Sequence, residues 1–151
     1  MREIKFRGQT ITGEWVHGLL SISQGKSGQP EKGIYISNRA GMPWAYQVRP
    51  ETVGQYTGLK DRNGVEIFEG NIIRWDDGTD GKLWRVAHVI WEERGQWAYK
   101  IIPSQCVNCF QDVRERLFGL GSFIYTPDST KHGNILEVIG NIYETPELIE
   151  Q

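Results

Sequence analysis

Residues 56–68 have the sequence YTGLKDRNGVEIF, and this stretch decides the fold class. Its pair Asn63-Gly64 tolerates the positive φ that a type I′ turn requires at both central positions. The segments on either side, residues 56–62 and 65–68, contain the β-branched and aromatic side chains that favour strands. The stretch therefore predicts a β-hairpin closed by a two-residue turn at Asn63-Gly64.

An alternation of apolar and polar residues with a period of two continues on both sides of this hairpin. The further strands that it predicts are residues 2–7, 14–22, 72–75, 83–91, 97–101 and 135–144. In the second of these, Val16, Leu20 and Ile22 share one face with Gly18. The core that this alternation predicts comprises Ile67, Ile73, Trp84, Val86, Val89, Ile90, Leu136, Val138 and Ile142.

One segment has a different period. Phe110, Val113, Leu117 and Leu120 are spaced as on one face of an α-helix, and Gly119 and Gly121 favour its end. A second, shorter helix is predicted after Thr145-Pro146-Glu147. The fold class predicted is mainly β (β-rich α+β): a small curled sheet or partly open SH3-like barrel with one short helix across it. Between residues 23 and 32, glycines and a proline predict a loop.

Size and composition limit the function classes. The 151 residues predict a single domain over 1–151. A hydrophobic content of 38% with 24% charged residues excludes a wholly disordered chain and a membrane protein. The net charge of −2 disfavours a dedicated nucleic-acid binder. With two cysteines and no apolar run long enough for a signal peptide, we expect a cytoplasmic protein.

Few residues are candidates for catalysis or metal binding. Cys106 and Cys109 form a Cys-x-x-Cys pair, but a zinc site needs four ligands and no second pair accompanies them, so they are weak metal candidates. His88 shares its predicted face with apolar residues and fits a structural role better than that of a base. The chain has no motif of a known catalytic or cofactor site, which predicts a non-enzyme without a cofactor.

Exposed aromatic and basic residues are candidates for binding. Trp44 lies in a turn-rich stretch near Tyr46 and Arg49, where it fits an interface anchor, a base-stacking platform or a residue that fixes the loop. Basic residues scattered along the chain would form a strip if the fold brought them together. The candidate binding residues are Trp44, Tyr46, Arg49, Lys60, Arg62 and Arg74.

Three stretches, residues 1–7, 51–70 and 138–148, carry a family resemblance. They include Met1-Arg2-Glu3-Ile4-Lys5-Phe6-Arg7 and Val138-Ile139-Gly140-Asn141-Ile142-Tyr143-Glu144. In their order along the chain and in their amino-acid sequence, they resemble the YopX family of small phage and prophage proteins. The resemblance implies a phage or prophage origin, a bacterial cytoplasm and a mainly β domain, but no activity. Members often have Glu-Gly-Asp where this chain has Glu69-Gly70-Asn71, so this position is expected to serve a turn.

Three functions remain open from the sequence. The first is a non-enzymatic phage accessory protein that binds a phage or host protein, since open sheet edges and Trp44 suit contact surfaces. Such edges are also compatible with a homo-oligomer. The alternatives are a nucleic-acid-binding small β-barrel and a small enzyme of unknown type. No membrane partner is expected.

Overall fold

The computed structural model describes residues 3–37, 45–76, 84–93, 95–102, 106, 117–119 and 135–149. Within these ranges the strands form two antiparallel sheets, with strand orders β4-β3-β2-β1-β5-β6 and β10-β9-β8-β7-β11. The strands are β1 (Phe6–Gln9), β2 (Trp15–Ser23), β3 (Gly33–Ser37), β4 (Ala45–Val48), β5 (Gly54–Lys60), β6 (Glu66–Phe68), β7 (Asn71–Asp76), β8 (Trp84–Glu92), β9 (Gln96–Ile101), β10 (Leu117–Gly119) and β11 (Glu137–Asn141). The mainly β class is confirmed, and neither sheet closes into a barrel through its described strands.

The chain divides into two compact units, Met1–Gly58 and Leu59–Gln151, and β5 runs through the boundary. The sequence predicts one domain, which stays a prediction. In the described ranges, no helix has the length and apolarity needed to cross a membrane.

The first unit is built on β1–β4 and the start of β5. Its core is Val16, Ile36 and Val48. Gly8 lies so close to this core that a Cβ there would be 3.0 Å from the Cβ of Val48, which explains the absence of a side chain. An isolated bridge between Thr10 and Val48 ties the residue after β1 to β4.

The second unit has apolar residues on both faces of its sheet. One face carries the larger core, in which Trp75 and Tyr99 meet edge to face with ring centroids 5.2 Å apart. The buried members of this core are Ile67, Ile73, Trp75, Ala87, Val89, Tyr99, Ile101 and Leu136. On the other face, residues of the C-terminal segment such as Ile142 and Leu148 pack against Ile72 and Val86.

The predicted hairpin is present, but its turn begins one residue earlier than Asn63-Gly64 requires. The amide of Gly64 donates to the carbonyl of Asp61 at 3.0 Å, and the amide of Asp61 donates to Val65 at 2.8 Å. Three residues therefore connect the strands, with Gly64 at φ +81° in the left-handed position. The register differs because the Asp61 carboxylate accepts the amides of Asn63 and Val65 and so fixes the turn around itself.

The predicted helices are not borne out where they can be compared. Of the helix predicted over residues 110–120, the described part is β10, which pairs with β9; residues 110–116 lie outside the described residues. The C-terminal helix is a single 3-10 turn, Pro146–Leu148. In the predicted core, Trp84, Ile90, Val138 and Ile142 are only half-buried. The core of the first unit was not predicted; two of its members, Ile36 and Val48, come from the short strands β3 and β4.

Candidate functional site

A pocket of about 210 Å³ lies on the first unit, where the end of β2, β3, the start of β4 and the loop at residues 24–32 meet. Ser21 lies opposite Tyr35 in the register of β2 and β3, so their side chains share one face of the sheet. The residues that line the pocket are Ser21, Ile22, Ser23, Gln29, Pro30, Tyr35 and Ala45. The pocket is open to solvent and mostly apolar.

Hydrogen bonds from side chains to backbone hold the loop that forms one wall of this pocket. The Ser23 hydroxyl donates to the carbonyl of Pro30 at 2.6 Å and accepts the amide of Gly25 at 3.1 Å. The Tyr35 hydroxyl donates to the carbonyl of Glu31 at 3.0 Å. The loop predicted over residues 23–32 is therefore tied to β2 and β3, and the wall of the pocket is defined in the absence of a ligand.

Large apolar side chains are exposed on the strands around the pocket. Leu19 is 48% exposed, Ile22 is 65% exposed and Tyr46 is 43% exposed. Ile22 was predicted to share a face with Val16 and Leu20, and the register agrees, with Ile22 lying beyond the small core of this unit. Strands β2, β3 and β4 contain no Asp, Glu, Lys or Arg. We call the surface of these strands, with Leu19, Ile22, Tyr46 and the pocket, the neutral patch; Leu19 shares the face of Ser21 and Tyr35, whereas Ile22 and Tyr46 lie on the opposite face.

Strand β4 ends the strand order of its sheet. Thr10 bridges to Val48, and the amide of Arg49 donates to the carbonyl of Gln9 at 2.8 Å, so one end of the outer edge of β4 is covered. The bridge places Ile11 opposite Gln47, so this side of β4 is covered from Gln47 to Arg49. Among the described strands, none pairs with Ala45 on this side.

Two of the four predicted basic residues come together. Arg62 and Arg74 meet in the second unit, where each places a guanidinium nitrogen 2.9 Å from the same oxygen, Oε2 of Glu137. The hydrogen bond from Arg74, helped by both positive charges, lowers the pKa of Glu137. Arg74 also stacks over Trp84 at 4.9 Å. The carboxylate of Glu137 thus offsets part of the positive charge of Arg62 and Arg74.

The other predicted binding residues are dispersed. Lys60 is an exposed residue at the end of β5 in the second unit. Arg49 belongs to the first unit, where it follows β4 and its amide donates to Gln9. Tyr46 lies on β4 and is part of the neutral patch. Trp44 lies outside the described residues.

The candidates for metal and acid–base chemistry are Cys106, Cys109 and His88. In the described ranges, no three His, Cys, Asp or Glu side chains are grouped as a metal site would require. The thiol of Cys106 lies 3.4 Å from the carbonyl of Ile102, and Cys109 is outside the described residues. Burial and the charge of Lys100 lower the pKa of His88, which favours a neutral imidazole.

Two buried polar side chains connect turns to β11: Asp61, which the sequence did not single out, and Asn71, which was expected to serve a turn. Asp61 is only 4% exposed. Its Oδ1 accepts the amides of Asn63 at 2.8 Å and Val65 at 2.9 Å, and its Oδ2 accepts the amide of Val138 at 3.0 Å. Beside it, the amide of Arg62 donates to the carbonyl of Leu136 at 2.9 Å. The second is Asn71, at the next turn.

Asn71 uses both ends of its side-chain amide. The carbonyl oxygen accepts the amide of Phe68 at 2.7 Å, and the nitrogen donates to the carbonyl of Gly140 at 3.1 Å. At the preceding residue, Gly70, φ is +78° and a Cβ would be 3.1 Å from the ring of Tyr143. These stretches, in which the family resemblance lies, therefore hold turns and strand edges together, and the shared Asp/Asn chemistry of turns had predicted this role for Asn71.

Comparisons with known proteins agree with the fold. A family model described as YopX protein matches residues 5–150. The crystal structure of protein EF1440 from Enterococcus faecalis is similar over 99% of this chain and 100% of that chain, with a TM-score of 0.52 and 23% sequence identity. At this identity the likeness concerns the fold alone. No functionally curated protein matches the chain.

Proposed function

This chain belongs to the YopX family, and we propose that it is a phage or prophage accessory protein that acts in the bacterial cytoplasm by binding another protein. The observation that carries the proposal is the neutral patch, with Ile22 65% exposed beside a preformed apolar pocket. Large exposed apolar side chains that flank a pocket favour an interaction site.

The energetics favour a partner on this surface. Full burial of an aliphatic or aromatic side chain contributes roughly 1.5–3 kcal/mol. Leu19 is 48% exposed on one face of the strands, and Ile22 and Tyr46 are 65% and 43% exposed on the other, so covering the apolar side chains of either face would contribute on the order of 1–3 kcal/mol. The absence of charged residues on β2–β4 means that covering these strands would desolvate no carboxylate, ammonium or guanidinium.

The lining of the pocket favours binding over catalysis. Its hydroxyl groups belong to Ser21, Ser23 and Tyr35, and two of them are engaged with backbone groups of the adjacent loop. Among the described residues that line the pocket there is no His, Asp, Glu, Lys or Cys, so these residues offer neither a general base nor a metal ligand. The pocket therefore supports the non-enzymatic hypothesis over a small enzyme.

Nucleic-acid binding is a second candidate, favoured by one observation. The guanidinium of Arg74 stacks on Trp84, and the side chains of Arg62 and Arg74 remain 46% and 41% exposed, so phosphate could reach both. Glu137 between them and the net charge of −2 weaken this candidate. Salt-dependent retention of single-stranded DNA that is lost in the double variant Arg62→Ala, Arg74→Ala would support it.

Affinity capture with matched variants tests the protein-binding proposal. The full chain, Ile22→Ser and Ile4→Ser would each be used to recover proteins from phage-infected cells. Ile4 is a suitable control because it is 61% exposed, close to the 65% of Ile22, and does not line the pocket. We expect Ile22→Ser to recover the partner at least tenfold less than the other two. Equal recovery by all three proteins would contradict the neutral patch as the binding surface.

A further inference from the structure

We propose that Asn63 is a site of spontaneous covalent modification, deamidation to aspartate or isoaspartate, and that the turn held by Asp61 sets the rate of this reaction. The proposal is independent of the protein-binding function. Asparagine is one of the thermolabile residues of proteins. Asn63 is exposed, and Asn63-Gly64 is the only Asn-Gly pair in the sequence.

The reaction requires the two residues of this pair and water. The backbone nitrogen of Gly64 attacks Cγ of Asn63, so that an N–Cγ bond forms and the bond from Cγ to Nδ2 breaks. Nδ2 leaves as ammonia, together with the proton that the Gly64 nitrogen loses. Water then opens the five-membered imide at either of its carbonyl groups, which gives aspartate or isoaspartate at position 63.

The surroundings of Gly64 leave room for this attack. A Cβ at this glycine would have no atom within 4 Å, so no side chain crowds the attacking nitrogen. Water reaches the site because residues 62–65 are all exposed. Access therefore does not limit the reaction, and the conformation of the turn decides its rate.

The closed turn holds the pair in an unreactive conformation. A three-residue connection that ends in a left-handed glycine contains a type I turn, in which the residue at the position of Asn63 has ψ of about 0°. At this ψ the Gly64 nitrogen eclipses the nitrogen of Asn63, whereas ring closure requires it to eclipse Cβ. The Cα–C bond must therefore rotate by about a third of a turn, which separates the Gly64 amide from the carbonyl of Asp61, 3.0 Å away.

Asp61 opposes this rotation through its side chain. Its Oδ1 accepts the amides of Asn63 and Val65, the residues on either side of the Gly64 nitrogen. Its Oδ2 accepts the amide of Val138, so the carboxylate is anchored to β11. Local openings of this kind are rare excursions from the native state. The rate of deamidation thus reports how often the turn opens.

The other asparagines in the described ranges are protected. Asn71 and Asn141 are 3% and 6% exposed, and the side-chain nitrogen of each donates a hydrogen bond, to the carbonyl of Gly140 and to the carboxylate of Glu144. Each also precedes an isoleucine, whose branched side chain hinders attack by its nitrogen. Conversion should therefore occur at position 63 and not at these two positions.

The products weaken the turn that formed them. In isoaspartate, Cβ becomes part of the main chain, so the three-residue connection gains one carbon. Either product also adds a negative charge near the buried carboxylate of Asp61. Because Asp61 and Arg62 hold the backbone of Val138 and Leu136, conversion should loosen the attachment of the hairpin to β11.

Peptide mapping of the full chain, aged in mildly alkaline buffer and compared with a sample taken at time zero, tests this proposal. Trypsin cleaves after Arg62 and Arg74, so one fragment contains both Asn63 and Asn71, and tandem mass spectrometry assigns the converted position. We expect Asn63 to convert at least tenfold faster than Asn71. We also expect it to convert at least tenfold more slowly than in a synthetic peptide of residues 58–68, because an isolated hairpin is only marginally stable.

Three variants isolate the role of the carboxylate. Asp61→Ala should convert at Asn63 at least fivefold faster than the unaltered chain. Asp61→Asn keeps an oxygen for the amides of Asn63 and Val65 and should stay within twofold. Asn71→Asp removes a hydrogen bond elsewhere in the same unit and leaves Asp61 in place, so it controls for a general loss of stability and should also stay within twofold. Circular dichroism before incubation checks that each variant is folded, and the comparison with the peptide depends on no variant.

Three results would each overturn the proposal. These are conversion at Asn63 as fast in the folded chain as in the peptide, conversion no faster at Asn63 than at Asn71, and equal rates in Asp61→Ala and either of the other variants. In the aged chain, hydrogen exchange should be faster at the amide of Val138; unchanged exchange there would contradict the predicted loosening of β11.

Discussion

Replacing Asp61 tests the polar connection between the hairpin and β11. Asp61→Ala removes an acceptor from three amides, those of Asn63, Val65 and Val138. Asn63 and Val65 are exposed, so water replaces the carboxylate and each loss costs about 0.5–1 kcal/mol. Val138 is half-buried, and its unsatisfied amide costs roughly 1–3 kcal/mol. The variant should therefore lose about 2–5 kcal/mol, a large share of the roughly 5–15 kcal/mol that stabilises a domain.

Asp61→Asn is the informative partner variant. Its side-chain oxygen can still accept the amides of the turn, but its NH₂ group then faces the amide of Val138, donor against donor. We expect a loss between that of Asp61→Ala and zero, about 1–3 kcal/mol. Urea unfolding followed by tryptophan fluorescence measures both variants, since Trp75, Trp84, Trp91 and Trp97 lie in the second unit.

The control is Glu93→Ala, which removes an exposed carboxylate from the turn between β8 and β9 in the same unit. It should change the free energy of unfolding by no more than about 0.5 kcal/mol. If Asp61→Ala also remained within this limit, or if Asp61→Asn were as destabilising as Asp61→Ala, the role assigned to the carboxylate would be refuted.

Two further predictions concern the same unit. Asn71→Asp should lower the free energy of unfolding by about 1–3 kcal/mol in urea, because Asp lacks the donor that reaches the carbonyl of Gly140; an unchanged midpoint would contradict this. Because the pKa of His88 is lower in the folded state, the unfolded state binds a proton at His88 more strongly than the folded state does. Stability should therefore fall as pH decreases below 6.5, and His88→Gln should reduce that dependence in thermal melts at pH 5.5–7.5; identical pH profiles would argue against it.

The sequence predicted those parts of the fold that are determined by residues close together in the sequence. The hairpin and the alternating strands β7 and β8 follow from local residue pattern, so they were recognised. The turn register was missed by one residue because the side chain of Asp61, which is not part of the Asn-Gly signal, fixes it. Residues 117–119 match a helical period but pair with β9, and such pairing between distant residues overrides local spacing.

The candidate site was predicted only in part. Tyr46 was among the predicted binding residues, but the pocket was not predicted, because its wall depends on hydrogen bonds from Ser23 and Tyr35 to the backbone of a loop. The basic strip stays a prediction; what the sequence did not reveal is that Arg62 and Arg74 share one carboxylate. Glu137, which binds Arg62 and Arg74, lies 63 residues beyond the nearer of them in the chain.

The position of β11 in the chain has a consequence for synthesis on the ribosome. This strand pairs with β7 and receives Asp61, although 77 residues separate Asp61 from Val138. During translation, the hairpin and β7 can pair with β11 only after residues 137–141 have left the exit tunnel. Until then, the hydrogen-bonding groups of β7 on that side can pair with other nascent chains. Slow translation of the intervening segment should therefore increase aggregation, and a chaperone that covers β7 should reduce it.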